Sequence, residues 1–214
     1  MSLALFGGSF DPPHRGHLQS AQELLAELHC EQLALLPAAH SPLKSGHFSH
    51  PHDRLKMLEL ALQECGDSRG QLTLDSRELH RSGRSYTIDT LREVRAEIGD
   101  RRPLYWVMGS DSASGLDQWK EWPRLLKYSH LVVIDRAEQP LACSSTIEAW
   151  LDSHRCYKLA QLQASPAGYV YHCRLSQLAV SSTTLREKIV NGAPLTGWLS
   201  KRVADYIETH SLYR

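Results

Sequence analysis

The sequence predicts an α/β fold: a doubly wound parallel sheet with a C-terminal helical portion. Three observations predict it. Short apolar runs alternate with amphipathic segments along most of the chain, the pattern of strands joined by crossover helices. The first run, Leu3-Ala4-Leu5-Phe6, leads into a glycine-rich turn and then into Leu18, Ala21, Leu24, Leu25 and Leu28 at helical spacing. Strand, turn and helix thus come in the order that right-handed parallel units require. No G-x-G-x-x-G occupies that turn. The sheet is therefore Rossmann-like but not of the dinucleotide dehydrogenase kind.

The turn itself is Gly7-Gly8-Ser9-Phe10-Asp11-Pro12-Pro13-His14-Arg15-Gly16-His17. Gly7 and Gly8 let the backbone turn sharply and let a ligand approach with no Cβ between. Ser9 adds a hydroxyl beside the turn, followed by Phe10, and the two prolines end the strand. His14 and His17, three residues apart, share one face of a helix start. They stand beside first-turn N–H groups and the positive end of the helix dipole. Gly16 keeps the space between them open. Such a point suits a phosphate. A bare H-x-G-H could be a structural turn with two incidental histidines; the preceding G-G-S-F-D-P-P argues against that.

The later elements follow in order. Gln32 to Pro37 reads as a second parallel strand. The loop from Ala38 to Pro51 carries Lys44 and three histidines, His40, His47 and His50, with His52 just after it. By spacing alone Lys44 is a solvated loop lysine, though a lysine just past a strand end could reach a phosphate. The histidines match no metal-ligand spacing. Asp53 to Gln63 is helical by pattern, and its Arg54-Leu55-Lys56-Met57 reads as packing. Leu72 to Asp75 is a third strand. Ser85 or Thr87 caps the next helix, which carries Leu91, Val94 and Ile98, and Tyr86 lies between them. The same helix start could hold a small carboxylate. Leu104 to Met108 is a strong strand ending in Gly109-Ser110-Asp111-Ser112, where Asp111 could accept bonds from ribose hydroxyls or act as a cap. Trp119 offers an indole face for stacking, and Trp122 reads as packing.

His130 to Ile134 is a fifth strand, followed by Asp135-Arg136. Glu138 to Pro166 is hard to read, apart from a short helix near Ala149-Trp150-Leu151. A strand over Tyr169 to Cys173 precedes Ser181-Ser182-Thr183-Thr184-Leu185-Arg186. Hydroxyls at that helix start offer donors, and the Arg186 fork can reach the same place; an ordinary serine cap with a surface arginine is the plainer reading. The helix carries Leu185, Ile189 and Val190 as its apolar residues, and Asn191-Gly192 stops it. Ser200 to His210 forms a last helix.

The 214 residues, 42% hydrophobic and 22% charged, suit one domain with a sizeable core. The expected division is a main part over 1–137, a segment over 138–178, and the last motif with the C-terminal helices over 179–214. A formal net charge of zero gives no global field for nucleic acid, so any anion site must be local. Five cysteines without a C-x-x-C argue against a disulfide framework or a structural zinc site. Neither a signal peptide nor a membrane span is visible, and a cytoplasmic protein, monomer or small homo-oligomer, without membrane partner is expected.

The G-G-S-F-D-P-P-H-R-G-H stretch resembles the signature of the nucleotidyltransferase superfamily that carries H-x-G-H. It is most similar to the bacterial nicotinate-nucleotide adenylyltransferases, whose usual form has threonine where this chain has Ser9. Ser85 to Thr90, the G-x-D-S of Gly109 to Ser112, Trp119, the S-S-T-x-x-R ending at Arg186 and the tail from Tyr206 to Tyr213 resemble the same family. Gly115 stands where some relatives carry a larger residue.

The resemblance implies adenylyl transfer from ATP to nicotinate mononucleotide, giving nicotinate adenine dinucleotide and pyrophosphate in NAD biosynthesis. It implies His17 on the α-phosphate, His14 on a phosphate, and Lys44 and Arg186 as the further charge-neutralising pair. Gly7, Gly8, Ser9, Phe10, Gly16, Gly109, Asp111, Arg136, Ser181, Ser182 and Thr183 would contact ATP. Ser85, Tyr86, Thr87, Trp119 and Lys44 would contact the mononucleotide. Magnesium would bridge the ATP phosphates, with no protein ligand set of its own. Rival readings are a sister adenylyltransferase for nicotinamide mononucleotide or phosphopantetheine, and a non-enzymatic nucleotide sensor.

Overall fold

The computed structural model describes residues 2–39, 49–67, 69–135, 143–176 and 180–214. Lys44 and Arg136 therefore lie outside the described residues. The chain runs β1 (Leu3–Gly8), α1 (Arg15–Glu27), β2 (Gln32–Pro37), α2 (Pro51–Glu64), β3 (Leu72–Leu74), α3 (Thr87–Ile98), β4 (Leu104–Gly109), α4 (Ser110–Ser114) and β5 (His130–Asp135). It continues with α5 (Ser145–Ser153), β6 (Arg155–Cys156), α6 (Leu159–Gln163), β7 (Val170–Arg174), α7 (Ser182–Val190) and α8 (Lys201–Thr209).

These strands form one seven-stranded sheet in the order β3-β2-β1-β4-β5-β7-β6, parallel at every pairing. The order reverses between β1 and β4, and open parallel sheets bind ligands at the carboxyl ends of strands at such a reversal. The ends there are Gly7-Gly8 and Gly109.

Alternate residues along each strand feed different faces. Ala4, Phe6, Leu33, Leu35, Tyr105 and Val107 face one core, covered by α1, α2 and α8 through Leu18, Leu24, Met57, Leu58, Val203 and Ile207. Leu3, Leu5, Ala34, Leu36, Trp106 and Met108 face the other, covered by α3 and α5 through Ile88, Leu91, Val94, Ile147 and Leu151. Near-continuous apolar strands follow from this two-sided burial.

Two sequence expectations change. The stretch from Glu138 to Pro166, where only a short helix near Trp150 is expected, supplies β6 and α6 as well as α5; β6 has two residues, pairing Arg155 with Val170 and Cys156 with Tyr171, too few to leave a periodic signal. Val190, read as part of the apolar face of α7, is 68% exposed, because that short helix buries only Leu185. Among the described residues no helix is long and apolar enough to cross a membrane.

Candidate active site

The glycine-rich turn joins β1 to α1. A Cβ on Gly8 would stand 2.9 Å from the Phe10 ring, so the ring folds back over the turn only because residue 8 has none. Phe10 itself is left-handed, with φ 48°, and completely buried. Burying that ring contributes about 1.5–3 kcal/mol, enough to offset the roughly 1–2 kcal/mol cost of a left-handed residue. Its ring meets His17 edge-on, with centroids 4.9 Å apart.

His14 is the N-cap of α1. The His14 N–H donates to His17 Nδ1 at 3.2 Å. The His17 N–H is shared between His14 O at 2.9 Å and His14 Nδ1 at 3.3 Å. The two rings stack, centroids 3.6 Å apart. Because both Nδ1 atoms accept, each ring carries its proton on Nε2, the donor a phosphate oxygen needs. The Arg15 N–H is taken by Trp198 O at 2.9 Å. Among the described residues this leaves the Gly16 N–H as the first-turn donor for a ligand. Gly16 packs against the His14 ring and Val180.

The start of α7 lies against the same turn. Ser181 caps the helix by accepting from the Thr184 N–H at 3.1 Å. The Ser182 hydroxyl donates to Pro12 O at 3.0 Å. Arg186 donates to Asp11 O at 2.6 Å and to the Thr183 hydroxyl at 3.2 Å. The two motifs, distant in sequence, thus meet directly.

Beside them opens a cavity of about 140 Å³. Its floor is Gly7, Gly8, Ser9 and the β4 residues Trp106 to Met108; its far wall is Ser85, Tyr86, Thr87, Trp119 and Lys120. The expected cap of α3 is corrected here. The N-cap is Tyr86, and no side chain caps the helix. The Ser85 hydroxyl donates instead to Glu78 O at 3.3 Å, and Thr87 already lies inside the first turn. The Asp89 and Thr90 N–H groups bond Tyr86 O. Among the described residues the Thr87 and Ile88 N–H groups remain as donors at the helix end. Asp111 is not a cap either: Gly109 is the N-cap of α4. A Cβ on Gly109 would stand 2.5 Å from Asp111 Oδ1, so glycine there lets the carboxylate fold back over the end of β4.

A profile of the cytidylyltransferase-like family matches residues 5–188. The chain is 40% identical over 227 aligned positions to the "Probable nicotinate-nucleotide adenylyltransferase" of Stenotrophomonas maltophilia, covering 100% of this chain and 98% of that one. It is 37% identical to the protein of that name from a Marinomonas species, covering 99% and 94%. The chain belongs to the cytidylyltransferase-like family, among its nicotinate-nucleotide adenylyltransferases. The fold is also that of a Plasmodium falciparum nicotinic acid mononucleotide adenylyltransferase complexed with NaAD, with a TM-score of 0.76, 18% identity and coverage of 99% and 97%. At that identity the likeness speaks to the fold alone.

Four residues of this adenylyltransferase site carry no distinctive sequence signal. Arg54, read as packing, is a buried hub. Its guanidinium donates to Ser9 O, Ala38 O, Ala39 O and Ser49 O at 2.6–3.2 Å, tying the ends of β1 and β2 together. Burial pulls its pKa down, while the nearby Asp11 carboxylate opposes that. Glu78 is buried and accepts from the Thr90 hydroxyl at 2.7 Å, and burial raises its pKa. Lys120 lies 4.8 Å from the Tyr86 ring centroid and 3.0 Å from Asp89 Oδ2. Tyr213, the last residue but one of the sequence, donates to Asp11 Oδ1 at 2.5 Å. A basic residue after an aromatic, as in Trp119-Lys120, is the one usable hint; the Arg54 and Tyr213 contacts reach across the chain, and Glu78 meets Ser85 and Thr90 only through the turn before α3.

Proposed function

We propose that this chain transfers the adenylyl group of ATP to nicotinate mononucleotide, releasing pyrophosphate. One observation carries the reading: the stacked His14–His17 pair, each ring proton on Nε2, stands at the α1 start with Arg186 docked on the same turn, beside a cavity walled by Tyr86, Thr87 and Trp119.

A phosphate oxygen of the mononucleotide attacks the α-phosphorus of ATP, and the bond from that phosphorus to the bridging oxygen of the β-phosphate breaks. The attacking oxygen is already anionic, so no side chain serves as nucleophile or general base. Catalysis is alignment and charge neutralisation. His17 donates from Nε2 to the α-phosphate as negative charge builds there. His14 and the Gly16 N–H hold a neighbouring phosphate. Arg186 turns its fork from the Asp11 carbonyl to the departing pyrophosphate, with Lys44 as a second cation and the Ser181–Thr183 hydroxyls alongside. Asp111 and Arg136 take the nucleoside end of ATP. The pyridine ring stacks on Trp119, and its carboxylate lies at the α3 start near Thr87, with the Lys120 ammonium close by.

Magnesium enters with ATP as part of the co-substrate. Among the described residues no three metal-binding side chains come together, and the donors facing the phosphates are imidazole, amide and guanidinium, which suit anions. The ion would neutralise phosphate charge.

The test is pyrophosphate release with ATP and magnesium, comparing nicotinate and nicotinamide mononucleotides. Strong preference for the acid supports the reading. Equal rates retain the chemistry but remove the carboxylate site at Thr87. Release with neither overturns it in favour of a sister transferase or a nucleotide sensor.

A further inference from the structure

The end of the chain reaches the active-site turn. After α8 the backbone passes through two left-handed residues, Ser211 with φ 50° and Tyr213 with φ 65°. Neither is glycine, so each holds a backbone conformation that a side chain with a Cβ disfavours. The Leu212 N–H bonds back to Ile207 O at 3.0 Å, and the phenol of Tyr213 is thereby turned inward to Asp11. Strain of this kind persists only where the surroundings over-determine it, and it concentrates at functional positions. The other side of the contact is strained as well, since Phe10, next to Asp11, is left-handed.

Asp11 is completely buried and joins three segments. Its Oδ1 accepts from Tyr213, its Oδ2 from the Ser49 N–H at 3.1 Å, and its carbonyl from Arg186. A carboxylate held at both oxygens and at its own carbonyl has little freedom to move. Burial raises the Tyr213 pKa, and the Asp11 charge raises it further, so the phenol keeps its proton and donates.

We propose that Tyr213 is a positioning residue for adenylyl transfer. Its hydroxyl fixes Asp11, Asp11 fixes the left-handed turn at Phe10, and the Phe10 ring sets His17. The same Asp11 sets the resting place of Arg186. The last turn of the chain thereby holds both motifs of the triphosphate half in register, though Tyr213 touches no substrate. This role rests on the activity proposed above.

The test has an internal control. The hydroxyl of Tyr206, on α8, bonds Asp53 Oδ1 at 2.9 Å, a similar phenol–carboxylate bond that does not touch the turn. Tyr213→Phe and Tyr206→Phe are compared with the parent by steady-state kinetics and by thermal melting. Tyr213→Phe is expected to lower kcat about 10–100-fold, the scale of a small misplacement of reacting groups. The KM for nicotinate mononucleotide should stay within about twofold of the parent. Tyr206→Phe should melt lower than the parent with kcat within about twofold. A Tyr213→Phe chain that keeps the parental kcat, that fails to fold, or that loses kcat no more than Tyr206→Phe does at an equal loss of melting temperature, overturns the positioning role. A parent chain that releases no pyrophosphate with nicotinate mononucleotide overturns the proposed activity instead.

Discussion

The two halves of the proposed site, one assigned to the triphosphate and one to the pyridine, rest on cores on opposite faces of the sheet and are built differently. The triphosphate half rests on the core beneath α1, α2 and α8, where Phe6, Phe10, Leu18 and Leu185 pack. The pyridine half rests on the core beneath α3, where Trp106, Met108, Ile88 and Leu116 pack, with Tyr86 and Trp119 against them. The first is assembled from segments far apart in sequence. Asp11 bonds Tyr213 and Arg186, and Arg54 bonds Ser9 and Ala38. The second is nearly local: Glu78, Ser85, Thr87 and Thr90 come from one short stretch, joined by Trp119-Lys120. The reacting centre needs rigid alignment of several charges, which long-range ties provide. The pocket needs one oriented helix start and one ring, which a single stretch provides.

Substitutions can break this contrast, and the largest effect is expected at His17. His17→Ala should lower kcat by about 10²–10³-fold, the usual loss when one donor to a developing charge is removed. The fold should lose only about 1 kcal/mol, as for a helix cap. Pre-steady-state adenylyl transfer alongside chemical denaturation separates the two; near-normal turnover would remove the role assigned to the imidazole.

Arg54 is expected next. Arg54→Met removes a donor from four main-chain carbonyls, one of them buried, and should cost roughly 2–4 kcal/mol in urea denaturation, with activity falling alongside. A loss below about 0.5 kcal/mol would show that the hub is dispensable. A smaller change is expected in the pocket. Thr87→Val should raise the KM for nicotinate mononucleotide about tenfold, the scale of one hydrogen bond to a charged group, while the KM for ATP stays put. If both constants move together, the halves are not separable as described.

The smallest effect is expected outside both halves. His130 is buried, with Nε2 against Ser165 O at 2.9 Å and Nδ1 accepting from the Tyr169 N–H at 3.2 Å. Burial depresses its pKa below 6.5. Between the unfolded and folded values the unfolded chain binds the extra proton, so stability falls as pH drops below about 6.5 and levels off below the folded value. The slope from this group is at most about 1.4 kcal/mol per pH unit. His130→Gln should flatten the dependence of the melting temperature on pH between about 5 and 7 without changing either KM. An unchanged slope would mean that other histidines carry it.

The same contrast explains what was legible in the sequence. The sequence located β1, β2, β4, β5 and α1 closely, because these strands are near-continuous apolar runs bounded by turn residues and α1 has a clear helical period. The H-x-G-H turn and Ser181–Arg186 were legible as motifs, and they meet through Ser182 and Pro12. The N-cap of α3 was misassigned to Ser85 or Thr87, since a hydroxyl before a helix reads as a cap whether or not it turns elsewhere. Arg54 looked like any helix arginine, because its partners are main-chain carbonyls that leave no trace in side-chain spacing. Tyr213 looked like tail for a related reason: its partner, Asp11, lies at the opposite end of the chain.

The most direct measurement is a crossed one. The KM values for ATP and for nicotinate mononucleotide are determined for Arg186→Gln and for Trp119→Ala. If the halves are separate, Arg186→Gln raises the KM for ATP or lowers kcat and leaves the mononucleotide KM near the parental value. Trp119→Ala does the reverse, raising the mononucleotide KM while ATP binds as before. Equal shifts of both constants in either variant would contradict the two-face account of the site.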